Sequence, residues 1–266
     1  MAQSAEAFRA RYGPWAVVAG ASSGLGEAYA RALAARGINV ALIARRRSLA
    51  EALAAKLAGR HGVQTRVIEL NLARADAGEI VAAETADLDV GLLVYNAAFS
   101  AIGPFFERPV GDHIREVETN CRAPLLLAYA LGQRLLARGR GGIVLMSSLS
   151  ATMGSALIAN YAATKAYNQV LAEGLWEELR RRGVDVMACC AGATSTPNYA
   201  ASAPKGARGT LTPAVVAEQT LAALGTTPSF IPGRGNRLSA FALRRLMPRK
   251  ATIKLMGGVM RRMYAQ

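Results

Sequence analysis

Short, continuous apolar segments recur along the chain and predict six β-strands that are buried on both faces. These segments are rich in Val, Ile and Leu and lack the alternation of apolar and polar residues that a strand with one exposed face shows. They lie at residues 15–20, 39–44, 66–70, 90–95, 142–147 and 184–190. Longer segments rich in Ala, Leu, Glu and Arg separate them and predict helices at residues 25–36, 48–58, 75–85, 110–138 and 161–182.

The regular alternation of strands and helices predicts the fold class. Repetition of a buried strand and a helix is typical of an α/β fold, in which one doubly wound, mostly parallel sheet carries helices on both faces. No low-complexity linker divides residues 1–232, so we expect them to form one domain. Residues 233–266 differ in composition and are expected to form a basic, amphipathic C-terminal extension.

The net charge of the chain is concentrated in that extension. The 266 residues include 32 Lys and Arg against 18 Asp and Glu, which gives a formal net charge of +14. Nine of the basic residues follow Glu218, the last acidic residue, and without these nine the charge of the preceding part is +5. Because apolar residues make up 52% of the chain, a core can form and general disorder is excluded.

The extension combines clustered Arg and Lys with an apolar stripe. Pro248 and the pair Gly257 and Gly258 are expected to divide it into short amphipathic helices. A helix that covers the site or contacts a second subunit, with a solvated basic face, is the favoured interpretation. Peripheral contact with an anionic membrane is the second. Nucleic acid ranks third and is not expected as a partner, because no binding motif is present and aromatic residues for base stacking are few.

Other residue counts exclude whole classes of protein. Three cysteines, of which Cys189 and Cys190 are adjacent, indicate no disulfide framework and favour a reducing compartment. The sequence shows neither a secretory signal nor an apolar run long enough to cross a membrane, so a cytoplasmic location is expected. Two histidines without a cysteine pair at ligand spacing predict no metal site.

A glycine-rich turn follows the first predicted strand and opens the first long helix. Gly20, Gly24 and Gly26 have the spacing of a turn whose backbone can approach a pyrophosphate, while the helix N-terminus supplies N–H groups. A dinucleotide site requires this position between a strand and a helix. Because glycines are frequent in this chain, the alternative is a turn with a purely structural role.

The second predicted strand ends in three consecutive arginines. At this point a nicotinamide dinucleotide site carries a carboxylate when it binds the 2′-hydroxyl of NAD, and an arginine when it accommodates the 2′-phosphate of NADP. We expect Arg45 to bind this phosphate with Ser22 as a further donor, and Arg46 and Arg47 to form a solvated helix start. The predicted cofactor is NADP(H).

Polar residues follow the fourth and fifth predicted strands. Asn96 and Ala97 come after the fourth strand, and Ser148 comes at the end of the fifth. Tyr161 and Lys165 open the next helix and share one of its faces, because they are four residues apart. The neighbouring ammonium should lower the pKa of the phenol below its ordinary value of about 10. Taken alone, this pair is equally consistent with an ordinary amphipathic helix.

In this order on one α/β frame, the glycine turn, Asn96, Ser148 and the pair Tyr161 and Lys165 resemble the short-chain dehydrogenase/reductase family over residues 14–200. The resemblance implies a single Rossmann-like domain of the NADP-preferring type, which reduces carbonyls or oxidises alcohols. It also implies a homodimer or homotetramer that pairs through the two long helices predicted after the fourth and fifth strands.

The resemblance implies a role for each catalytic residue. Tyr161 is expected to be the general acid/base that exchanges a proton with the substrate oxygen. Lys165 is expected to lower the pKa of Tyr161 and to hold the nicotinamide ribose. Ser148 would hydrogen-bond the substrate oxygen, and Asn120 would support a water-linked proton relay to the lysine.

The cofactor contacts implied by the resemblance extend from the glycine turn to the sixth strand. Asn71 stands where the family has an adenine-contacting aspartate, Asn96 closes the cofactor floor, and Thr196 is expected to bind the nicotinamide carboxamide. Two further departures, Ala19 in place of a threonine and Ala191 in place of a proline, leave the catalytic set untouched. The expected cofactor-binding residues are Gly20, Ser22, Ser23, Gly24, Leu25, Gly26, Arg45, Asn71, Leu72, Asn96, Ala97, Tyr161, Lys165 and Thr196.

A loop at residues 197–211, rich in Ala, Gly, Ser and Pro, is expected to close over the substrate as in this family, and a plain surface loop is the alternative. By position, Phe99, Leu149, Met153 and Tyr199 are candidates for the substrate pocket, each equally consistent with core packing.

The predicted function is an NADP(H)-dependent oxidoreductase that transfers hydride to or from a carbonyl or secondary alcohol. An apolar pocket would suit a steroid-, fatty-acyl- or lipid-like substrate. The alternative is a non-catalytic NADP-binding sensor or scaffold. The presence of Ser148, Tyr161 and Lys165 together favours the enzyme, since function is argued from the site.

Overall fold

Seven strands form one parallel sheet in the part of the chain that the structure describes, residues 4–202 and 210–264. The structure is a computed structural model. The strands are β1 (Trp15–Ala19), β2 (Asn39–Ala44), β3 (Thr65–Glu69), β4 (Val90–Tyr95), β5 (Gly141–Ser148), β6 (Val184–Ala191) and β7 (Ser229–Phe230). Their order across the sheet is β3-β2-β1-β4-β5-β6-β7, which confirms the predicted doubly wound topology.

Helices connect the strands and cover both faces of the sheet. They are α1 (Ala5–Tyr12), α2 (Gly24–Ala34), α3 (Arg47–His61), α4 (Ala77–Glu84), α5 (Val110–Val117), α6 (Ala123–Arg138), α7 (Ala159–Leu179), α8 (Pro197–Ser202), α9 (Pro213–Ala223), α10 (Arg234–Arg245) and α11 (Arg249–Tyr264). One buried cluster joins the sheet to α1, α2, α3 and α9, and a second joins it to α4, α6 and α7. In β1, Ala16 and Val18 belong to the first cluster and Val17 and Ala19 to the second, because successive side chains of a strand point to opposite faces.

The strand order reverses at β1, which pairs with β2 on one side and with β4 on the other. The connections that follow β1 and β4 therefore leave the sheet in opposite directions and open a crevice at the carboxyl ends of these strands, where ligands of such folds bind. The glycine turn begins at Gly20, directly after β1, and Asn96 directly follows β4. The sheet thus brings two of the predicted motifs to one edge.

Three local features differ from the expected elements. β7 is absent from the prediction, because only Ser229 and Phe230 pair with β6, too short a segment to give a periodic pattern. The helix expected at residues 110–138 is interrupted by a π-helical turn at Glu118–Arg122. The break near Pro248 is confirmed, but Gly257 and Gly258 lie inside α11 and do not divide it, since tertiary packing outweighs the low helix propensity of glycine.

A buried carboxylate ties the N-terminal helix to the sheet. Asp185 on β6 accepts a hydrogen bond from Arg11 Nε at 2.5 Å and another from the Tyr12 hydroxyl at 2.6 Å. Phe8 and Tyr12 are themselves buried in the core. The helix is therefore held both by apolar packing and by charge-assisted hydrogen bonds to a strand more than 170 residues away in sequence.

No helix among residues 4–202 and 210–264 combines the length and the apolar character that a bilayer crossing requires. The three cysteines are free, and burial raises the pKa of each thiol above its ordinary value. In these same two ranges, no group of three or more His, Cys, Asp and Glu side chains could hold a metal ion.

Candidate active site

The glycine turn between β1 and α2 has a backbone that side chains would obstruct. Gly20 has a φ of +83°, and a Cβ placed on it would lie 2.7 Å from Cα of Ala97. A Cβ on Gly26 would overlap the carbonyl oxygen of Gly20 and would lie 2.8 Å from Nδ2 of Asn96. The turn is therefore packed against the segment after β4, and α2 begins at its outer end with free N–H groups.

The segments after β4 and β6 complete this cradle. Asn96 Nδ2 donates a hydrogen bond to the carbonyl oxygen of Gly20 at 3.1 Å, which fixes the turn from the side of β4. On the other side, the side chain of Thr196 lies 3.2 Å from the position that a Cβ on Gly24 would take. Asn96, Ala97 and Thr196 are thus brought to the glycine turn, which has the open backbone and the helix N-terminus that a pyrophosphate requires.

An open groove of about 610 Å³ lies at the carboxyl ends of β2 and β3. Arg45 and Asn71, both expected to bind the cofactor, line it together with Arg47, Glu69 and Arg74. Leu72 is different, because its side chain is buried in the core cluster beneath the groove. Any contact of Leu72 with a ligand would therefore come from its backbone.

Arg46 is positioned differently from the expectation. The prediction of a solvated helix start holds for Arg47, which pairs with Glu51 at 2.7 Å. The Arg46 guanidinium instead donates to the hydroxyls of Ser22 at 3.1 Å and Ser23 at 3.0 Å. Consecutive residues at a strand end point in different directions, so Arg45 faces the groove and Arg46 reaches the glycine turn. The run of three arginines was the only signal in the sequence for this second contact.

Ser148 and Tyr161 meet beyond the end of β5. The Ser148 hydroxyl lies close enough to the Tyr161 phenol to lower the pKa of that phenol. Ser148 ends β5, and its Oγ also accepts from the backbone N–H of Ser150 at 3.2 Å and from the Ser150 hydroxyl at 2.9 Å. Tyr161 lies in the first turn of α7, whose packing on β5 and β6 determines where the phenol points. Two hydroxyl groups therefore converge on one point at the edge of the crevice.

The expected lowering of the Tyr161 pKa by Lys165 is not found. Burial raises the pKa of the phenol to about 12, and the neighbouring Ser148 hydroxyl offsets only part of this effect. The charges of Glu116 and Tyr264 raise it further. Lys165 has little influence because its Nζ is 5.6 Å from the centre of the Tyr161 ring and donates to the carbonyl oxygen of Met146 at 3.0 Å.

Lys165 is a buried cation. Only 2% of the residue is exposed, and burial lowers the pKa of its ammonium group to about 8. Its Nζ shares the Met146 carbonyl oxygen with Nδ2 of Asn168, which donates at 3.3 Å. The fold thus keeps a group close to its titration point at the floor of the site.

Replacement of this cation by an isosteric apolar side chain should stabilise the fold. We expect Lys165→Met to raise the free energy of unfolding near neutral pH by roughly 1–3 kcal/mol, because a pKa lowered by burial measures the cost of the buried charge. Asn168 still donates to the Met146 carbonyl oxygen in this variant.

The effect should depend on pH. Since the folded pKa of Lys165 is about 8 and the ordinary value is 10.5, the cost of the charge is full below pH 8 and disappears as the pH approaches 10.5. Urea denaturation at both ends of this range measures it, with Lys56→Met on the exposed face of α3 as control. Equal stability of the variant and the parent protein near pH 7 would contradict the expectation.

Asn120 occupies the centre of the π-helical turn and is completely buried. Its Oδ1 accepts from the Phe99 N–H at 2.9 Å, and its Nδ2 donates to the Phe99 carbonyl oxygen at 2.8 Å and to the Thr164 hydroxyl at 3.1 Å. Thr164 in turn donates to the carbonyl oxygen of Tyr161. The π-helical turn therefore aims one side chain at both the loop after β4 and the first turn of α7.

The residues predicted for the substrate pocket lie near the carboxyl ends of the strands and differ in how far they are buried. Leu149 follows Ser148 in a half-buried 3-10 turn, Met153 is buried, and Phe99 lies under the guanidinium of Arg115 at 4.4 Å. Tyr199 lies on α8, where its N–H donates to the Thr196 hydroxyl at 3.2 Å.

The two ends of the predicted substrate loop are joined to each other. Ser195 N–H donates to the carbonyl oxygen of Leu211 at 2.9 Å, and Leu211 N–H donates to that of Ala193 at 3.1 Å. The first part of the loop forms α8, which begins directly after Thr196. Residues 203–209 of the predicted loop lie outside the described residues.

The last helix lies over this site. Gly257 of α11 approaches Ala156, whose Cβ is 3.6 Å from the position that a Cβ on Gly257 would take. The Tyr264 phenol is near enough to Tyr161 to raise its pKa electrostatically. Gly257 and Tyr264 lie on one face of α11, because they are two helical turns apart. The C-terminal extension thus places one face toward Tyr161, in agreement with the site-covering interpretation.

Comparisons with known proteins give a consistent result. A family model described as short chain dehydrogenase matches residues 14–206. The chain is 34% identical over 234 residues to the 7beta-hydroxysteroid dehydrogenase of Clostridium sardiniense, and the aligned segment covers 86% of this chain and 89% of that protein.

Two solved structures extend the comparison to the fold. A structure from work on 7beta-hydroxysteroid dehydrogenase stereoselectivity has a TM-score of 0.89 at 28% identity and covers 94% of this chain and 99% of its own. A short-chain dehydrogenase from Sphingobium yanoikuyae in complex with NADPH has a TM-score of 0.76 at 28% identity, with 88% and 94% covered.

Proposed function

The chain belongs to the short-chain dehydrogenase family and is an oxidoreductase of alcohols or carbonyls, and we propose that it uses NADP(H) and acts on a bulky, apolar substrate of the steroid class. The observation that carries the proposal is the proximity of the Ser148 hydroxyl to the Tyr161 phenol at the end of β5, with Lys165 and Asn120 buried close by. The similarity to a 7beta-hydroxysteroid dehydrogenase over most of both chains supports the steroid class.

The residues present fit a nicotinamide dinucleotide with a 2′-phosphate. The open backbone at Gly20 and Gly26 leaves room for a pyrophosphate at the start of α2, and Thr196 adjoins the same turn. Arg45 in the groove and Arg46 on the glycine turn approach from two sides the region where the adenosine ribose would lie. Planar guanidinium groups suit phosphate oxygens, so these residues would hold NADP(H) in preference to NAD(H).

This arrangement predicts the cofactor preference of two variants. Arg45→Ala and Arg46→Ala should each weaken NADPH binding by roughly tenfold to a hundredfold, because each loses a charge-assisted hydrogen bond to the phosphate, while NADH binding changes little. Fluorescence titration with both cofactors measures this. Arg60→Ala is the matched control, since Arg60 is exposed in the last turn of α3 and does not line the groove. Equal losses for NADPH and NADH would refute the phosphate role.

The chemistry of the reaction divides between the cofactor and the chain. NADPH, when bound, supplies the hydride. The Tyr161 phenol gives its proton to the substrate oxygen, and the Ser148 hydroxyl donates a hydrogen bond to the same oxygen as negative charge develops there. Lys165 holds positive charge beneath this point, and Asn120 fixes the backbone of Phe99 and, through Thr164, the first turn of α7.

The raised pKa of Tyr161 bears on the direction of the reaction. A phenol with a pKa of about 12 is fully protonated at neutral pH, which is the form that can donate a proton to a carbonyl being reduced. Oxidation of an alcohol requires the phenolate. We therefore expect reduction to dominate near neutral pH and oxidation to increase as the pH rises.

The walls of the proposed substrate pocket come from three segments. Leu149 and Met153 follow β5, Phe99 follows β4, and Tyr199 lies on α8 beyond β6. The inward face of α11 covers the pocket through the approach of Gly257 to Ala156. An apolar enclosure with two hydroxyl groups at one end suits a rigid hydrocarbon skeleton that carries one oxygen.

The experiment that tests the function is a substrate screen. NADPH oxidation would be followed with a 7-oxosteroid, a 3-oxoacyl thioester, a quinone and an aldehyde. We expect the highest kcat/KM with the steroid, by at least roughly tenfold over the others, because only a large apolar substrate uses the whole enclosure. Tight NADPH binding without turnover of any carbonyl would contradict an enzymatic function.

Exposed apolar stripes on two helices support an oligomer. Leu125 and Tyr129 lie one turn apart on α6, and Tyr167 and Val170 do so on α7, and all four are exposed. We place the subunit contact on these faces. Val170→Glu should therefore shift the protein to smaller species in sedimentation velocity, whereas Phe106→Glu on the exposed loop before α5 should not.

A further inference from the structure

The outward face of α10 combines apolar and basic side chains in one line. Arg234, Leu238, Phe241 and Arg245 follow one another at intervals of three or four residues and therefore share one side of the helix. Leu238 is 70% exposed and Phe241 57% exposed. Ala240, on the opposite side, is buried. The helix thus turns two large apolar side chains away from the protein.

The same character continues through the break and into α11. Leu246, between the helices, is 72% exposed. On α11, Lys254, Leu255, Arg261 and Arg262 are exposed, whereas Thr252 and Gly257 are buried. We call the exposed set Arg234, Leu238, Phe241, Arg245, Leu246, Lys254, Leu255, Arg261 and Arg262 the outward face of the extension.

The charge of this surface is not compensated within the protein. No acidic residue follows Glu218 in the sequence. In the ranges 4–202 and 210–264, ten arginines of residues 4–232 form ion pairs with acidic side chains. None of the nine basic residues of the extension forms such a pair in these ranges. The extension therefore presents exposed apolar side chains together with charged side chains that are all positive.

We propose that the outward face of the extension docks on an anionic phospholipid surface. Leu238, Phe241 and Leu246 would enter the boundary between headgroups and acyl chains, while the basic side chains around them contact lipid phosphates. A second copy of this face is a poor partner, because pairing would bring five like charges on each side together. A bilayer with acidic lipids supplies both the apolar depth and the opposite charge.

Docking in this orientation would place the site next to the bilayer. The inward face of α11 lies toward Tyr161, so the helix that contacts lipid with one side covers the substrate pocket with the other. A membrane-dissolved substrate could then enter beside α11. This consequence rests on the proposed function, whereas lipid binding itself does not.

Vesicle binding by the full chain tests the proposal. We expect co-sedimentation with vesicles of phosphatidylcholine that contain about one third phosphatidylserine, and binding that weakens as salt is added. Vesicles of phosphatidylcholine alone should bind at least roughly tenfold more weakly. No binding to the anionic vesicles, or equal binding to both kinds, would overturn the proposal.

Two pairs of substitutions localise the effect. Leu238→Ser with Phe241→Ser, and separately Arg234→Gln with Arg245→Gln, should each weaken binding to anionic vesicles by roughly tenfold or more. Lys56→Gln with Arg60→Gln on α3, and Phe106→Ser in the loop before α5, are matched controls of the same chemistry elsewhere. Thermal unfolding checks that every variant is folded. Controls that lose as much binding as the test variants would overturn the assignment to this face.

Sedimentation velocity tests whether the outward face contacts a second copy of the chain and not a membrane. The serine variant should keep the oligomeric state of the parent protein. If the serine variant changes the oligomeric state and the parent protein does not bind vesicles, the face contacts a second copy and the proposal is wrong.

A second inference concerns a buried carboxylate that the chemistry above does not use. Glu116 on α5 is completely buried. Its Oε1 accepts from the Ala101 N–H at 3.0 Å, and its Oε2 accepts from Nδ2 of Asn160 at 2.7 Å. Asn160 immediately precedes Tyr161 in the first turn of α7. Glu116 therefore joins the loop after β4 to the residue beside the proton donor.

We infer that Glu116 is a positioning residue that orients the start of α7 and adds a fixed negative charge to the site. Its titratable neighbours are His113 on its own helix and Lys165 and Tyr161 on α7, and Cys121 in the π-helical turn also lies within its field. The carboxylate raises the pKa of both Tyr161 and Lys165. Loss of its charge should lower both values.

The pH profile of carbonyl reduction tests this inference, which rests on the proposed function. Glu116→Gln retains an acceptor for Ala101 and should shift the alkaline limb of kcat/KM to lower pH by at least about half a unit. Glu116→Ala should also lower kcat, with a smaller change in KM. Glu107→Gln, an exposed carboxylate nearby, should leave the profile unchanged. An active parent protein whose profile is the same in Glu116→Gln would overturn this inference, whereas an inactive parent would contradict the proposed function itself.

Discussion

Tyr161→Phe should lower kcat for carbonyl reduction by about a thousandfold or more while NADPH still binds with nearly unchanged affinity. The substitution removes one oxygen atom, the proton donor, and keeps the ring that packs in the first turn of α7. Ser148 remains to hydrogen-bond the substrate oxygen, but an aliphatic hydroxyl is a weaker acid than a phenol and is a poor proton donor. Steady-state kinetics with the best carbonyl substrate and fluorescence titration of NADPH measure the two effects separately.

The matched control is Tyr167→Phe, since Tyr167 lies six residues further along α7 on the face proposed for the subunit contact, and the substitution keeps its ring. It should retain full activity. If Tyr161→Phe kept more than about a tenth of the parent activity, a different group would have to supply the proton, and the role of Tyr161 as general acid would be wrong.

Gly26→Ala should abolish measurable NADPH binding and lower the free energy of unfolding by at least ~1–3 kcal/mol. The added Cβ would overlap the carbonyl oxygen of Gly20 and approach Nδ2 of Asn96, so the turn and the segment after β4 would have to separate. Both positions belong to the cradle, and neither neighbour is the flexible end of a long side chain. Cofactor titration and urea denaturation report the two losses.

Gly174→Ala is the control for this substitution. Gly174 is an exposed glycine within α7, and nothing lies within 4 Å of the position of its Cβ. The alanine should therefore leave NADPH binding unchanged and stabilise the helix by roughly 0.5–1 kcal/mol. If Gly26→Ala retained cofactor binding, the close approach of Gly26 to Gly20 and Asn96 would not be required for the cofactor site.

The strands β1, β2, β4, β5 and β6 could be predicted from the sequence because burial on both faces leaves a continuous apolar run. The expectation of burial on both faces is wrong for β3, which lies at the edge of the sheet and has only Ile68 fully buried. β7 could not be predicted, because its pairing with β6 involves two residues and depends on where the chain returns after α9. The π-helical turn at Glu118–Arg122 could not be predicted for a different reason. A single extra residue in a long amphipathic helix changes the periodicity too little to detect.

Some residues of the candidate site could likewise be predicted from the sequence, and others could not. The ordered set of Asn120, Ser148, Tyr161 and Lys165 could be identified because each lies at a fixed place on the strand and helix frame. The contact of Arg46 with the glycine turn and the position of Glu116 depend on side-chain directions, which no spacing rule specifies. The pKa of Tyr161 also escaped prediction, since proximity to Lys165 in sequence says nothing about the burial that dominates it.

The cluster of Arg11, Tyr12 and Asp185 shows that the segment common to the family is smaller than the unit that folds. The family match begins at residue 14, and a chain shortened to that point would leave the Asp185 carboxylate buried without either partner. Removal of the partners of a buried charge costs roughly 3–5 kcal/mol, a large share of the ~5–15 kcal/mol that stabilises a typical domain. Truncation at the start of the family match would thus remove much of the stability of the fold, because α1 supplies Phe8 and Tyr12 to the core as well as the partners of Asp185.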